Sequence, residues 1–183
     1  MYSVFADCKA FPHGPTPGDF FGYHGGPVIT SVHVIPMFWG TWWDNSTNPS
    51  VIQVYAALAS IVTGSYMSQL SQYKGIGAGQ VLLESGARSN GSNPPNNFTD
   101  SNVQSLVAAA IDAGAVPSPT DLPGNPYLYT VFMPPGISPQ NGAGGEHWSF
   151  SHNGVKTCTT LGSASAAGWT RLRQSSRTSQ PKP

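Results

Sequence analysis

Charge is what this sequence has least of, and the little it has is unevenly placed. Asp, Glu, Lys and Arg make up 9 % of the 183 residues, about a third of the share in an average soluble protein. All eight acids lie before Lys156, with only Lys9, Lys74 and Arg88 as cations beside them. Lys156, Arg171, Arg173, Arg177 and Lys182 then follow with no acid at all. Cations this sparse, with Trp169 as the one aromatic among them, argue against nucleic acid as a partner.

Other absences narrow the classes further. No run approaches the eighteen or so apolar residues of a membrane span, so none is expected. Met1 to Phe11 lacks a basic region followed by an apolar one, so no signal peptide is visible. On that reading the chain is cytosolic, leaves by another route, or has lost its start. Cysteine is limited to Cys8 and Cys158; nothing in the sequence brings them together, and two free thiols are expected. A Gly-x-Ser-x-Gly elbow is missing, and neither cysteine has the surroundings of a reactive thiol. Gly75-Ile-Gly-Ala-Gly79 is followed by Gln80 and preceded by a predicted helix, so it fails both phosphate-loop patterns.

In place of charge the chain carries 21 Gly and 17 Pro, with Asn and Ser filling the loops. This pattern suits extracellular, loop-rich domains, which face water with amides and hydroxyls, and is also common in low-complexity segments. Three sequons, at Asn45, Asn90 and Asn97, mark surface loops.

Hydropathy patterning divides the chain into three parts. Residues 1–27 are dense in Pro, Gly and aromatics and read as an extended arm. Residues 28–155 form a patterned body. Residues 156–183 hold ten Ser or Thr and only Leu161, Trp169 and Leu172 as large apolar residues. That is too little to offset ordering entropy, so a disordered basic tail is expected.

Within the body, Val28 to Trp39 predicts a central strand, with Pro36 marking a bulge or an edge near its end. Asn48-Pro49 reads as a helix start, with Asn48 the N-cap. Ile52, Tyr55, Ala59, Val62, Tyr66, Leu70 and Tyr73 then recur at steps of three and four, predicting the buried face. Gly64-Ser65 leaves one long helix or two, with Ser65 capping the second. Gln80 to Glu84 predicts a short strand, and Ser89 to Asn97 a polar loop.

A capping box at Ser101 and Gln104 predicts a second helical region. Its buried stripe is Val103, Leu106, Val107, Ala110 and Ile111, ended by Gly114. Tyr127 to Met133 and Glu146 to Phe150 complete the strands, the latter turning at His152-Asn-Gly154. The order implies an α/β or α+β fold with a small, mostly parallel sheet and two to three helices, an incomplete domain if nothing regular follows Val155.

Two groups of residues are candidates for function. Glu146, His147 and His152 form the one compact cluster with metal-ligand chemistry, and His24 sits in a Gly-Gly-Pro turn that could orient it. The spacing of five between His147 and His152 fits neither zinc-peptidase motif, and alternation would send Glu146 and His147 to opposite faces. His33, inside an apolar strand, is expected as a buried neutral imidazole with a backbone partner. Asp44, Glu84 and Glu146 stand near strand ends and could converge as a carboxylate set. Trp42, Trp43 and Trp148 are candidates for a binding surface, including a platform for sugars, with Trp39 in the core.

His24-Gly-Gly-Pro-Val28, Val32-His-Val-Ile-Pro-Met-Phe-Trp-Gly40 with Trp42, and Tyr127 to Gly136 resemble segments of the phosphate-induced protein 1 (EXORDIUM-like) family and its bacterial secreted relatives, across residues 22–155. The Gly-rich approach to Glu146-His-Trp148 is similar too. The resemblance implies an extracellular or wall-associated protein without an established reaction. Some bacterial relatives carry a downstream His-Glu segment and acidic turn of zinc-peptidase type. This chain has neither, so no catalytic residue carries over. Its last 28 residues read as a frame change, a truncated gene or an authentic disordered tail.

The expected function is a noncatalytic or truncated domain of extracellular type, with no cofactor. One alternative is a divergent zinc-dependent hydrolase whose metal-site region is missing, with zinc as its cofactor. The other is a carbohydrate- or wall-binding module with cell-wall polysaccharide as partner.

Overall fold

A computed structural model of the chain describes residues 28–73, 75–82, 92–124, 126–142 and 145–163, with only the backbone at 158 and 160–163. The arm over residues 1–27, Cys8, His24, Glu84 and residues 164–183 lie outside the described residues. Strands β1 (His33–Phe38), β2 (Gln80–Val81), β4 (Tyr127–Met133), β6 (Gly145–His152) and β7 (Val155–Ser163) form one sheet in the order β2-β1-β4-β7-β6. β3 (Asn97–Phe98) and β5 (Ser138–Pro139) make a separate parallel pair. In the main sheet β2, β1, β4 and β7 are parallel and β6 alone is antiparallel. The fold is therefore α/β with a small, mostly parallel sheet.

The segment from Lys156 to Ser163 is the main correction to the sequence reading. It is no tail: β7 lies between β4 and β6 and pairs with both. Its scarcity of large apolar residues is made good by β-branched Thr, which suits a pleated strand. Thr157 and Thr159 are buried at 0 % and 1 % exposure. Asn153 and Gly154 both take positive φ, 49° and 76°, the two-residue turn whose twist matches an antiparallel hairpin. That turn sends the chain back as β7.

β1 is shorter than the predicted strand. The residues before it still bond singly to β2 and the segment ahead of β2, through Gly77 N–H to Thr30 O and Gln80 N–H to Val32 O. Val34 O accepts from Leu82 N–H, so Pro36, two residues on, turns its donorless nitrogen to the same side. There β2 pairs only with His33 and Val34, and Pro36 breaks no ladder.

Helices cover the two faces of the sheet. α3 (Asp100–Asp112) packs Val103 and Val107, with Leu106, Ala110 and Ile111, against Ile35, Met37, Tyr129, Val131 and Met133. Its N-cap is Thr99, in a capping box with Asn102, and not Ser101. Gly114 follows the C-cap at φ 63°. Bonds from Gly114 N–H to Ile111 O and Ala115 N–H to Ala110 O close the helix in a Schellman arrangement.

α1 (Val51–Thr63) lies on the opposite face, with Val51 and Val54 against Phe38, Trp43 and Phe132. Ser50 caps it in a box with Gln53, two residues after the expected cap at Asn48. Gly64 then breaks the helix and N-caps α2 (Ser65–Leu70).

The predicted inner stripe of this pair is right at Val62 and wrong at Ile52, Tyr66 and Tyr73. Val51, Val54, Val62 and Met67 point inward, while Ile52, Tyr66 and Tyr73 are 65 %, 61 % and 46 % exposed. Apolar residues lie on both faces of the pair, and the large side chains drew part of the stripe to the outer one. By length and mean hydropathy (1.3) alone, Val51–Leu70 would pass for a membrane span, but its inner face is part of the core and Gly64 interrupts it.

The connections define the functional edge. From β1 the chain crosses by α1 and α2 to β2 on one side, then by α3 to β4 on the other. Right-handed crossovers in opposite directions put helices on opposite faces. They also open a crevice where the carboxyl ends of β1 and β4 meet, the usual ligand position in open parallel sheets.

Candidate functional site

A groove of about 590 Å³ occupies that crevice, lined by Thr41, Trp42, Asn45, Ser46, Asn93, Pro94, Asn96, Pro134, Pro135 and Ile137. Three segments build it: the chain leaving β1, the Asn/Pro stretch before β3, and the Pro-Pro turn leaving β4. Gly40 lets them converge. Its φ is 106°, and a Cβ there would stand 3.0 Å from Pro94 Cδ and 3.2 Å from Asn93 Oδ1. Only glycine takes this backbone conformation without strain and leaves that room.

Past Gly40 a 3-10 helix, Thr41–Asp44, presents two tryptophans with different duties. Trp43 is 2 % exposed. Its ring meets Phe38 edge-on at 4.9 Å, and its Nε1–H donates to Phe132 O at 3.2 Å. Trp42 stands edge-to-face on Trp43 at 4.8 Å and 85°, and is 36 % exposed. The buried indole thus holds the exposed one as a fixed aromatic surface beside the groove.

In the same lining, Asn93 Oδ1 accepts from both the N–H and the hydroxyl of Thr41, at 2.9 and 3.1 Å, leaving its amide NH2 for other partners. Asn45, Asn96 and Ser46 add further amides and a hydroxyl. No ionisable side chain stands among the described residues that line this groove.

The other candidates lie elsewhere. Trp148 is half-buried on β6 beneath α3, with its Nε1 buried and unpartnered. Trp39 is core, as expected. Of the three tryptophans proposed as a binding surface, only Trp42 serves the groove.

Glu146, His147 and His152 are not brought together. His147 is exposed on the opposite face of β6 from Glu146, and Glu146 and His152 stand six residues apart along a strand, about 20 Å. His152 Nε2 lies 2.8 Å from Asp112 Oδ1, fastening the end of α3 to the hairpin. Glu146 takes a hydrogen bond from the Asn141 side chain. Among the described residues no three His, Cys, Asp or Glu side chains form a metal-binding group. Neither Asp44 nor Glu146 lines the groove.

His33 also differs from expectation. It is half-buried, edge-on to Tyr127 at 5.8 Å, and its Nδ1 is buried without the backbone partner expected for it. It borders a second hollow, of about 280 Å³, at the amino ends of β1 and β4.

Apart from Trp42, the groove's lining was not singled out from sequence. The available signal was positional: Thr41 to Ser46 and Pro134 to Ile137 directly follow the two longest predicted parallel strands. Asn93, Pro94 and Asn96 belong to the stretch read only as a polar loop.

No protein-family model matches this chain, and neither a curated protein nor a solved structure matches it.

Proposed function

We propose that this chain is a carbohydrate-binding domain of extracellular type, and that the groove beside Trp42 holds a neutral glycan such as a wall polysaccharide. The observation that carries the reading is the groove's chemistry. A fixed indole face stands beside carboxamides and hydroxyls, with no charged side chain among the described lining residues. Sugar rings offer an apolar C–H face for an aromatic plate and a rim of hydroxyls for amide donors and acceptors. A phosphorylated or carboxylated ligand would call for the cations this lining lacks. The low charge of the whole chain and its amide-rich loops agree with an extracellular setting.

Pull-down on insoluble polysaccharides, with Trp42→Ala beside the parent chain, tests the reading. Loss of the indole should weaken retention about tenfold or more, the effect of roughly 1.4 kcal/mol. Trp43→Ala is unsuitable, because it removes core packing. Undiminished retention in Trp42→Ala would count against the groove as the binding site.

A further inference from the structure

We infer that the outer edge of β6 is a self-association surface, pairing antiparallel with β6 of a second copy of this chain about a two-fold axis through Ser149. The register of the hairpin decides which groups are available. His152 and Val155 flank a two-residue turn and face each other, so they exchange both backbone hydrogen bonds. By alternation Phe150, Trp148 and Glu146 also bond to β7. Gly145, His147, Ser149 and Ser151 turn their N–H and C=O groups outward, and among the described residues no strand lies there.

Exposed edges are ordinarily blunted by proline, lysine, a bulge or shortness. β6 is eight residues long, Gly-Glu-His-Trp-Ser-Phe-Ser-His, with neither proline nor lysine, and its pairing with β7 runs without a bulge from end to end.

Its sequence is complementary to itself when read in reverse. With Ser149 opposite Ser149, Trp148 of one copy faces Phe150 of the other, and Glu146 faces His152. Both pairings occur twice by symmetry, on the face that carries α3. Aromatic pairs and acid–base pairs directly across an antiparallel ladder are the ones that stabilise it. On the opposite face His147 meets Ser151. The outward residues fall on hydrogen-bonded positions of this ladder, giving about six backbone bonds across the axis. A shift of the axis by one residue, to Trp148 or Phe150, keeps outward groups paired but sets Glu146 against Phe150 or Trp148 against His152, losing the acid–base pairs. A shift by two, to His147 or Ser151, would set Glu146 against Trp148 or His152 against Phe150. The occupant is thus a second copy in one register, which joins two five-stranded sheets into one.

Sedimentation of the full chain at micromolar and near-millimolar concentration, with Ser149→Pro beside it, tests this. Proline at 149 removes an outward N–H that β7 does not use, so the hairpin keeps its bonds while the partner loses one at the axis. The parent chain should shift to the mass of a dimer, and Ser149→Pro, with an unchanged circular dichroism spectrum, should remain a monomer. Ser149→Lys, which would set two ammonium groups against each other at the axis, should do the same. Should both variants lose the folded spectrum, hydrogen exchange on the parent chain decides: the amides of His147, Ser149 and Ser151 should slow as concentration rises. A parent chain that stays monomeric, a folded Ser149→Pro that still dimerises, or exchange at those amides independent of concentration overturns the proposal.

Discussion

Gly40, Tyr129 and Thr159 show how single residues set the site and the core beneath it. Gly40 combines a φ of 106° with a 3.0 Å approach to Pro94. Gly40→Ala should therefore cost about 1–3 kcal/mol, the scale of a strained backbone position, and should loosen the groove, as thermal unfolding and ligand titration of the variant would register. Tyr129 is buried and donates its phenolic O–H to Pro117 O at 2.6 Å. Burial, then the neighbouring Tyr127 and Asp121, pushes its pKa up from 10. Because the raised group holds its proton in the folded state, its contribution is fully present below pH 10 and is lost as pH climbs beyond that. Tyr129→Phe should lower stability by about 1 kcal/mol at neutral pH and flatten the alkaline limb of a stability-against-pH curve. Thr159 is the converse case. Its hydroxyl is buried with no partner, so Thr159→Val should unfold at the same or a higher temperature.

At the scale of elements, β7 accounts for most of the difference between the sequence as read and the fold as found. Three large apolar residues in 28 imply disorder when burial is counted by composition. A central strand, however, is held by two backbone ladders and asks only that its side chains fit a pleated surface. Lys156 therefore lies in a paired strand, opposite Ser151. Limited trypsin digestion of the native chain should leave the bond after Lys156 intact while more exposed sites are cut; rapid cleavage there would contradict the strand. β4 was legible to the residue because seven apolar or β-branched residues lie between Pro126 and Pro134. α3 was legible because one stripe carried nearly all its apolar residues. The α1 and α2 pair misled because apolar residues lie on both faces, and periodicity cannot say which face a sheet will cover. The tryptophans were legible as a group but not individually: Trp42 and Trp43 are adjacent, and only the 3-10 helix decides which of them turns inward.

For the molecule as a whole, topology makes the groove. The crossover from β1 to β2 and the one from β2 to β4 run in opposite directions, α1 and α3 cover opposite faces, and the loops after β1 and β4 diverge. The resulting crevice is furnished by the residues that happen to follow those strands. None of this depends on a catalytic motif, which is why a search for motifs passed over the lining. The outer edge of β6, open among the described residues, is a second consequence of the topology, since the antiparallel hairpin leaves its first strand outermost. The central claim is that neutral glycan binds beside Trp42. It is tested most directly by titrating isotope-labelled protein with soluble neutral oligosaccharides and following the amide and indole N–H resonances. Shifts concentrated at the Trp42 indole and at the side-chain amides of Asn45, Asn93 and Asn96, saturating together and lost in Trp42→Ala, are the expected result. Resonances that stay in place across a panel of neutral oligosaccharides, or that move around His33 instead, would contradict it.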